Sequence, residues 1–200
     1  FWGETMIKIG VIGSRGKTKV CSIIKDKLLK YNKKIIIANG QIENIGEVSH
    51  IDCDTDIVIY IFYKEQYQII KDKVKLDILI QTAFDDEDHQ YFNMLQDIIS
   101  LIKKDGYIIF DSDFSEKISF YCENIYPITY GLNSKSTVTA SSIDDTDKLQ
   151  FSYCLQRGIY TISNEIIKPF EKPFIESGSS DEILYYLAAL TCILIIDYKF

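Results

Sequence analysis

Arginine is almost missing: only Arg15 and Arg157 occur among 22 Lys and Arg residues. Acidic residues number 29, and the formal net charge is −7. A protein that coats nucleic-acid duplexes needs a basic surface, so no nucleic-acid partner is expected. Cysteine is sparse and unpatterned. The five (Cys21, Cys53, Cys122, Cys154 and Cys192) form no C-x-x-C pair, and their number is odd. That argues against a disulfide framework or a zinc ribbon and for reduced thiols in a cytoplasmic protein. A long hydrophobic run is missing too. Leu184–Ile196, the most apolar stretch, is shorter than the roughly 20 residues of a membrane helix, so a buried helix and no membrane partner are expected. The opening FWGETMIKIG lacks a basic leader and a long apolar stretch, so no signal peptide is read there. Phe1 is no initiator, and the sequence is taken to begin ahead of Met6 or to be an excised piece.

What is present is an ordinary globular composition, 46% hydrophobic and 26% charged over 200 residues. One domain of this size can bury a real core without staples. Met6–Ile12 reads as a strand and Gly13–Gly16 as a turn. Lys17–Tyr31 places Val20, Ile23, Ile24 and Leu28 at helical spacing. Lys34–Ala38 is a strand, Asn39–Asp54 a loop, and Asp56–Tyr63 a strand buried on both faces. Lys64–Lys73 is a short helix and Leu76–Thr82 a strand. The acidic run Asp85–Asp88 leads into a helix through Lys104, where its carboxylates would face the positive helix end. Gly106 closes that helix and Tyr107–Asp111 is a strand.

Strands and helices thus alternate, which predicts an α/β fold. The sheet is mainly parallel and of P-loop type, with helices on both faces. A small antiparallel β subdomain follows after about residue 125. Its strands are Thr137–Ser142, Leu149–Leu155 and Ile159–Ile162, with turns at Asp144–Asp147 and Arg157–Gly158. The chain is read as one domain, 1–200. About 6–125 form the P-loop part, about 126–180 the antiparallel part, and about 181–197 a closing helix that is apolar on nearly all sides.

The chemical signal is Gly10-Val-Ile-Gly13-Ser14-Arg15-Gly16-Lys17-Thr18. Glycines let the backbone fold its N–H groups inward, and the helix start adds positive partial charge. Lys17 places a point charge on terminal phosphates, and Thr18 offers a hydroxyl to Mg²⁺. The strict G-x-x-x-x-G-K-[ST] pattern would need glycine where Val11 stands, so the match is to a shorter G-x-x-G-K-T form. The expected nucleotide-binding residues are Gly13, Ser14, Arg15, Gly16, Lys17 and Thr18, with an incidental turn as the plainer alternative. Arg15 either touches phosphate or stands as a solvated tip. The acid that helps to hold Mg²⁺ is open among Asp111 at a strand end, Asp88 with His89, and Glu65. Each also has a structural explanation, as a strand-end turn, a helix cap or a surface group. His50 has no supporting neighbours and receives no role.

The loop resembles the ATP loop of the Mur ligases and their folylpolyglutamate synthetase relatives, G-[IV]-T-G-T-N-G-K-T. Other segments follow in the family's order: LDILIQTAFDDEDH, GYIIFDSD, ITYGLNSKSTVTASSI and SSDEILYYLAAL. The resemblance is to the central ATP-binding domain. It implies an ATP-dependent amide ligase that works through an acyl phosphate, with ATP and Mg²⁺ as cofactors and an unidentified carboxylate and amine as substrates. It also implies N- and C-terminal ligase domains, or a partner chain, beyond these residues. Carried over, Lys17 and Thr18 would hold phosphate and metal, and Asp88 and His89 match the family's Asp-His pair. The catalytic residues stay unassigned. The departures are specific. The family's metal-binding Glu falls on Ile61, and Glu65 matches only if the register slips. Asp181, Glu182 and Tyr185 stand where the family has His, Asn and Asn. No counterpart of its carbamylated lysine is found. Three readings therefore remain open: a ligase domain, a nucleotide-binding pseudo-ligase, and an unrelated P-loop kinase or synthetase using Asp111 as its metal acid.

Overall fold

A computed structural model describes residues 6–39, 54–64, 74–84, 89–114 and 124–198. Its strands are β1 (Ile7–Ile12), β2 (Ile35–Asn39), β3 (Ile57–Ile61), β4 (Leu76–Gln81), β5 (Ile102–Asp111) and β6 (Ile125–Tyr130), followed by β7 (Val138–Asp144), β8 (Leu149–Leu155), β9 (Ile159–Tyr160), β10 (Ile166–Ile167) and β11 (Phe170–Glu176). The helices among the described residues are α1 (Lys17–Leu29), α2 (His89–Ile99) and α3 (Ile183–Ile195). The expected helix over Lys64–Lys73, most of the loop over Asn39–Asp54 and the acidic run Asp85–Asp88 lie outside the described residues.

Among the described residues, nine strands form one sheet in the order β2-β3-β1-β4-β5-β6-β7-β8-β11. Pairings from β2 to β7 are parallel, and β7–β8 and β8–β11 are antiparallel. A separate two-stranded antiparallel sheet joins β9 to β10. The strands alternate their contacts between two covered faces. Ile9, Val11, Ile57, Ile59, Ile61, Ile78 and Ile80 pack with α1 and α3. Val58, Tyr60, Phe62, Leu79 and Ile108 pack with α2. Both faces are thus covered by helix, which is why β3 is apolar at every position. α3 is buried along nearly its whole length, as its composition requires.

Two boundaries differ from the sequence reading. The second helix ends at Ile99, and β5 already begins at Ile102. Asp105 takes a left-handed φ of 63°, and its N–H donates to the Asn124 carbonyl at 2.8 Å. Lys103, helix-prone by type, pairs instead with Asp77 at 2.6 Å. Tertiary bonds therefore override local propensity here. Second, the parallel sheet continues past residue 125. β6 pairs in parallel with β5 from Gly106↔Ile125 to Asp111↔Tyr130, with Pro127 inside the strand. β7 meets β6 at Tyr130↔Val138 alone, so Pro127 has a partner strand on one side only, a setting that tolerates proline. The antiparallel strands β8 and β11 extend this same sheet, and β11 lies outside the strands that the sequence predicts.

No helix among the described residues is long and apolar enough to cross a membrane.

Candidate functional site

β1 is flanked by β3 and β4, and its C-terminal end opens into the turn Gly13–Gly16. Ligand sites of parallel α/β sheets form at this edge. Gly13 is buried against β4's exit, where a Cβ would stand 2.1 Å from Thr82 Oγ1. Gly16 has φ 82°, a left-handed conformation that glycine adopts freely, and it caps α1. A Cβ there would come within 2.2 Å of the Tyr185 ring.

The turn is held from outside by the residues after β4. Ser14 and Arg15 N–H groups donate to the Ala83 carbonyl at 2.9 and 3.2 Å. Thr82 Oγ1 donates to the Arg15 carbonyl at 2.6 Å and also lies 3.2 Å from the Ile12 carbonyl. The first helical bond runs from Val20 N–H to the Gly16 carbonyl at 3.0 Å. The amides of Lys17, Thr18 and Lys19 therefore precede any intrahelical acceptor and form the helix's electropositive end.

Lys17 is only 6% exposed. Its ammonium donates to the carbonyls of Gly13 and Ser14 and lies 5.1 Å from the centroid of the Tyr63 ring. A buried ammonium satisfied by loop carbonyls is a positive charge already placed inside the turn. One helical turn on, Cys21 is buried beneath it. Burial pushes this thiol up to about 12 against the opposing pull of its own backbone bond and of Lys17. Thr18 is exposed at the start of α1, and Arg15 is exposed at the tip.

The metal candidates scatter. Asp111 ends β5 and is 6% exposed. Two strand spacings separate β5 from β1, about 10 Å. Burial raises its carboxyl above the ordinary range, opposed by the Asp113 N–H that it accepts at 2.9 Å. Gln81 links Asp111 to the loop's support: its Oε1 accepts the Asp111 N–H at 2.9 Å, and its carbonyl accepts the Tyr130 hydroxyl at 2.8 Å. Ile61 is fully buried at the end of β3, paired with Val11. His89 is the first residue of α2, and Asp88 and Glu65 lie outside the described residues. Among the described residues no three His, Cys, Asp or Glu gather as a metal set. Sequence reasoning missed Tyr63, Thr82 and Gln81 as supports of the loop. Tyr185 it noted only as a departure from the family pattern.

No protein-family model matches this sequence, and no curated protein matches it. Solved structures do match in shape. MurF from Acinetobacter baumannii superimposes with TM-score 0.75 at 13% identity, over 97% of this chain and 44% of that one. MurF from Thermotoga maritima, in complex with ADP, gives TM-score 0.68 at 13% identity, over 98% of this chain and 46% of that one. A bifunctional folylpolyglutamate synthase/dihydrofolate synthase with Mn, AMPPNP and L-glutamate bound gives 0.53 at 8% identity, over 96% of this chain and 54% of that one. The chain spans less than half the length of the two MurF structures. With its nine-stranded sheet, its glycine turn after β1 and helices on both faces, the chain has the α/β fold of the Mur ligase central domain, shared with folylpolyglutamate synthases.

Proposed function

We propose that this chain is the ATP-binding domain of a Mur-type amide ligase. One observation carries the reading: a buried lysine, Lys17, is enclosed by the carbonyls of a glycine turn that joins β1 to α1. Such a turn suits a polyphosphate because the amides at the start of α1 and one fixed cation stand together there. The fold likeness includes structures with ADP and with AMPPNP and Mn bound, which supports a nucleotide with a divalent metal.

In the reaction class, a substrate carboxylate is phosphorylated by ATP and an amine then displaces the phosphate to form an amide. Gly13, Ser14, Arg15, Gly16, Lys17 and Thr18 bind and orient the phosphates in this reading. For Mg²⁺, Thr18, Asp111 and Asp88 offer the hard oxygen donors the ion prefers, and His89 a nitrogen. The carboxylate and amine pockets belong to further domains or a partner chain, and the site of action is the cytoplasm. Calorimetry with Mg²⁺-ATP tests the core of the proposal. Binding that collapses in Lys17→Ala supports it, and no binding by the wild type refutes it.

A second reading, a nucleotide-binding pseudo-ligase without turnover, is favoured by Ile61. A fully buried isoleucine stands where the resemblance calls for a metal-binding Glu. Losing one metal ligand removes transition-state charge stabilisation while sparing phosphate binding. ATP-dependent formation of an amide by this chain, assayed with candidate acids and amines, eliminates the second reading.

A further inference from the structure

We propose that Lys19 is a second phosphate-binding lysine of the loop, held in reserve by Glu182. The inference rests on Gly13–Thr18 being a phosphate loop. Lys19 is the third residue of α1, and helical side chains lean toward the helix N-terminus. Its stem therefore leans toward the end of α1 that carries Lys17 and Thr18. In the resting structure its ammonium is taken by Glu182 Oε2 at 2.9 Å. The Tyr186 ring centroid also lies 5.9 Å from the ammonium.

Glu182 is placed there by construction. It immediately precedes α3, and its N–H donates to the Ser179 carbonyl at 3.0 Å. Its carboxylate fills the space beside Gly178, where a Cβ would lie 2.0 Å from Oε2. The preceding turn is pinned by Ser180 N–H donating to Asp145 Oδ2 at 2.8 Å. Three residues on, Tyr185 touches Gly16. Residues spaced by three share a helix face, so one face of α3's start presents a carboxylate and a ring to the phosphate loop.

A carboxylate beside an anion site opposes anion binding, and Glu182 also occupies the ammonium that the anion would use. The Lys19 and Glu182 side chains are 35% and 28% exposed. An ion pair that open to water is weak and exchangeable. A triphosphate brings several negative charges to the same mouth and outcompetes one carboxylate for the ammonium. Glu182 thus lowers resting affinity and keeps the Lys19 ammonium near the loop.

The test titrates the whole chain with inorganic tripolyphosphate by calorimetry, as wild type, Glu182→Gln, Lys19→Met and the double variant, with thermal unfolding recorded for each. Glu182→Gln is expected to bind about fivefold more tightly at low salt. The gain is expected to fade at 1 M salt, where the screening length is about 3 Å. Lys19→Met is expected to weaken binding about threefold and to abolish the gain in the double variant. An ion pair that only braces α1 against α3 predicts lower unfolding temperatures with unchanged affinities, and that result overturns the proposal. So does an unchanged affinity in Lys19→Met alone, should Glu182→Gln fail to fold. Binding by neither wild type nor Glu182→Gln overturns the phosphate-loop reading as well, which separates the two failures.

Discussion

The Tyr185 ring fills the space that a side chain on Gly16 would need: a Cβ there would lie 2.2 Å from Tyr185 Cε1. The contact joins residues far apart in sequence and fixes where α3 begins relative to the turn. Gly16→Ala meets two penalties, the left-handed φ of 82° and the ring. It is expected to destabilise the protein by about 2 kcal/mol. Tyr185→Ala in that background should restore only the steric share. Urea unfolding of the two single variants and the double variant checks this, and simple additivity would contradict it.

Thr82 acts at the other wall of the turn. Its hydroxyl donates to the Arg15 carbonyl at 2.6 Å. Thr82→Val keeps the shape and removes that bond, at a cost of about 1 kcal/mol. Mg²⁺-ATP affinity should fall several-fold, because the turn loses its anchor while keeping Lys17. Equal affinities for wild type and Thr82→Val by calorimetry would remove Thr82 from the site.

Asp111 gives stability a pH dependence. Burial raises its folded-state carboxyl above the unfolded value of 3.8. The protonated form is therefore favoured on folding. The stabilisation is complete below pH 3.8 and is lost as pH rises through the higher folded value. Asp111→Asn retains an acceptor for the Asp113 N–H and removes the titration. The wild type, compared with this variant by urea unfolding, should lose relative stability from about pH 4 toward neutrality. A flat difference across that range would show that Asp111 does not titrate as its burial dictates.

Thiol labelling reports on the core under the loop. Cys21 and Cys192 are buried, and burial raises both thiols, Cys21 to about 12. Cys154 is partly exposed. The thiolate is the reactive form. In a Cys53→Ser/Cys122→Ser variant at pH 8, mass spectrometry should find Cys154 modified first, with Cys21 and Cys192 protected until denaturant is added. Early modification of Cys21 would mean that α1 opens locally from the sheet.

The parts legible in the sequence are those whose cause is local. The turn after β1 announces itself through Gly13 and the consecutive Gly16, Lys17 and Thr18. β3 and α3 announce themselves because uniform apolarity leaves them no exposed face. β11 gave no such signal. FEKPFIE alternates part-buried and exposed residues around Pro173 and becomes a strand only by pairing with β8. β6 was hidden in the same way by Pro127. The supports of the site were illegible for a related reason. Thr82 lies 67 residues from Arg15, its acceptor. Tyr63 meets Lys17 because β3 lies next to β1, an adjacency no spacing rule encodes. The position of Asp111 relative to the loop also required the strand order.

The single backbone pairing between β6 and β7, at Tyr130↔Val138, is a seam in an otherwise continuous sheet. α3 packs across it, against β4, β5 and β6 on one side and β7 on the other. It works as a splint. At the start of this rod, Tyr185 meets Gly16 of the glycine turn and Glu182 pairs with Lys19 of α1. The glycine turn and the strands on both sides of the seam therefore lean on one and the same helix.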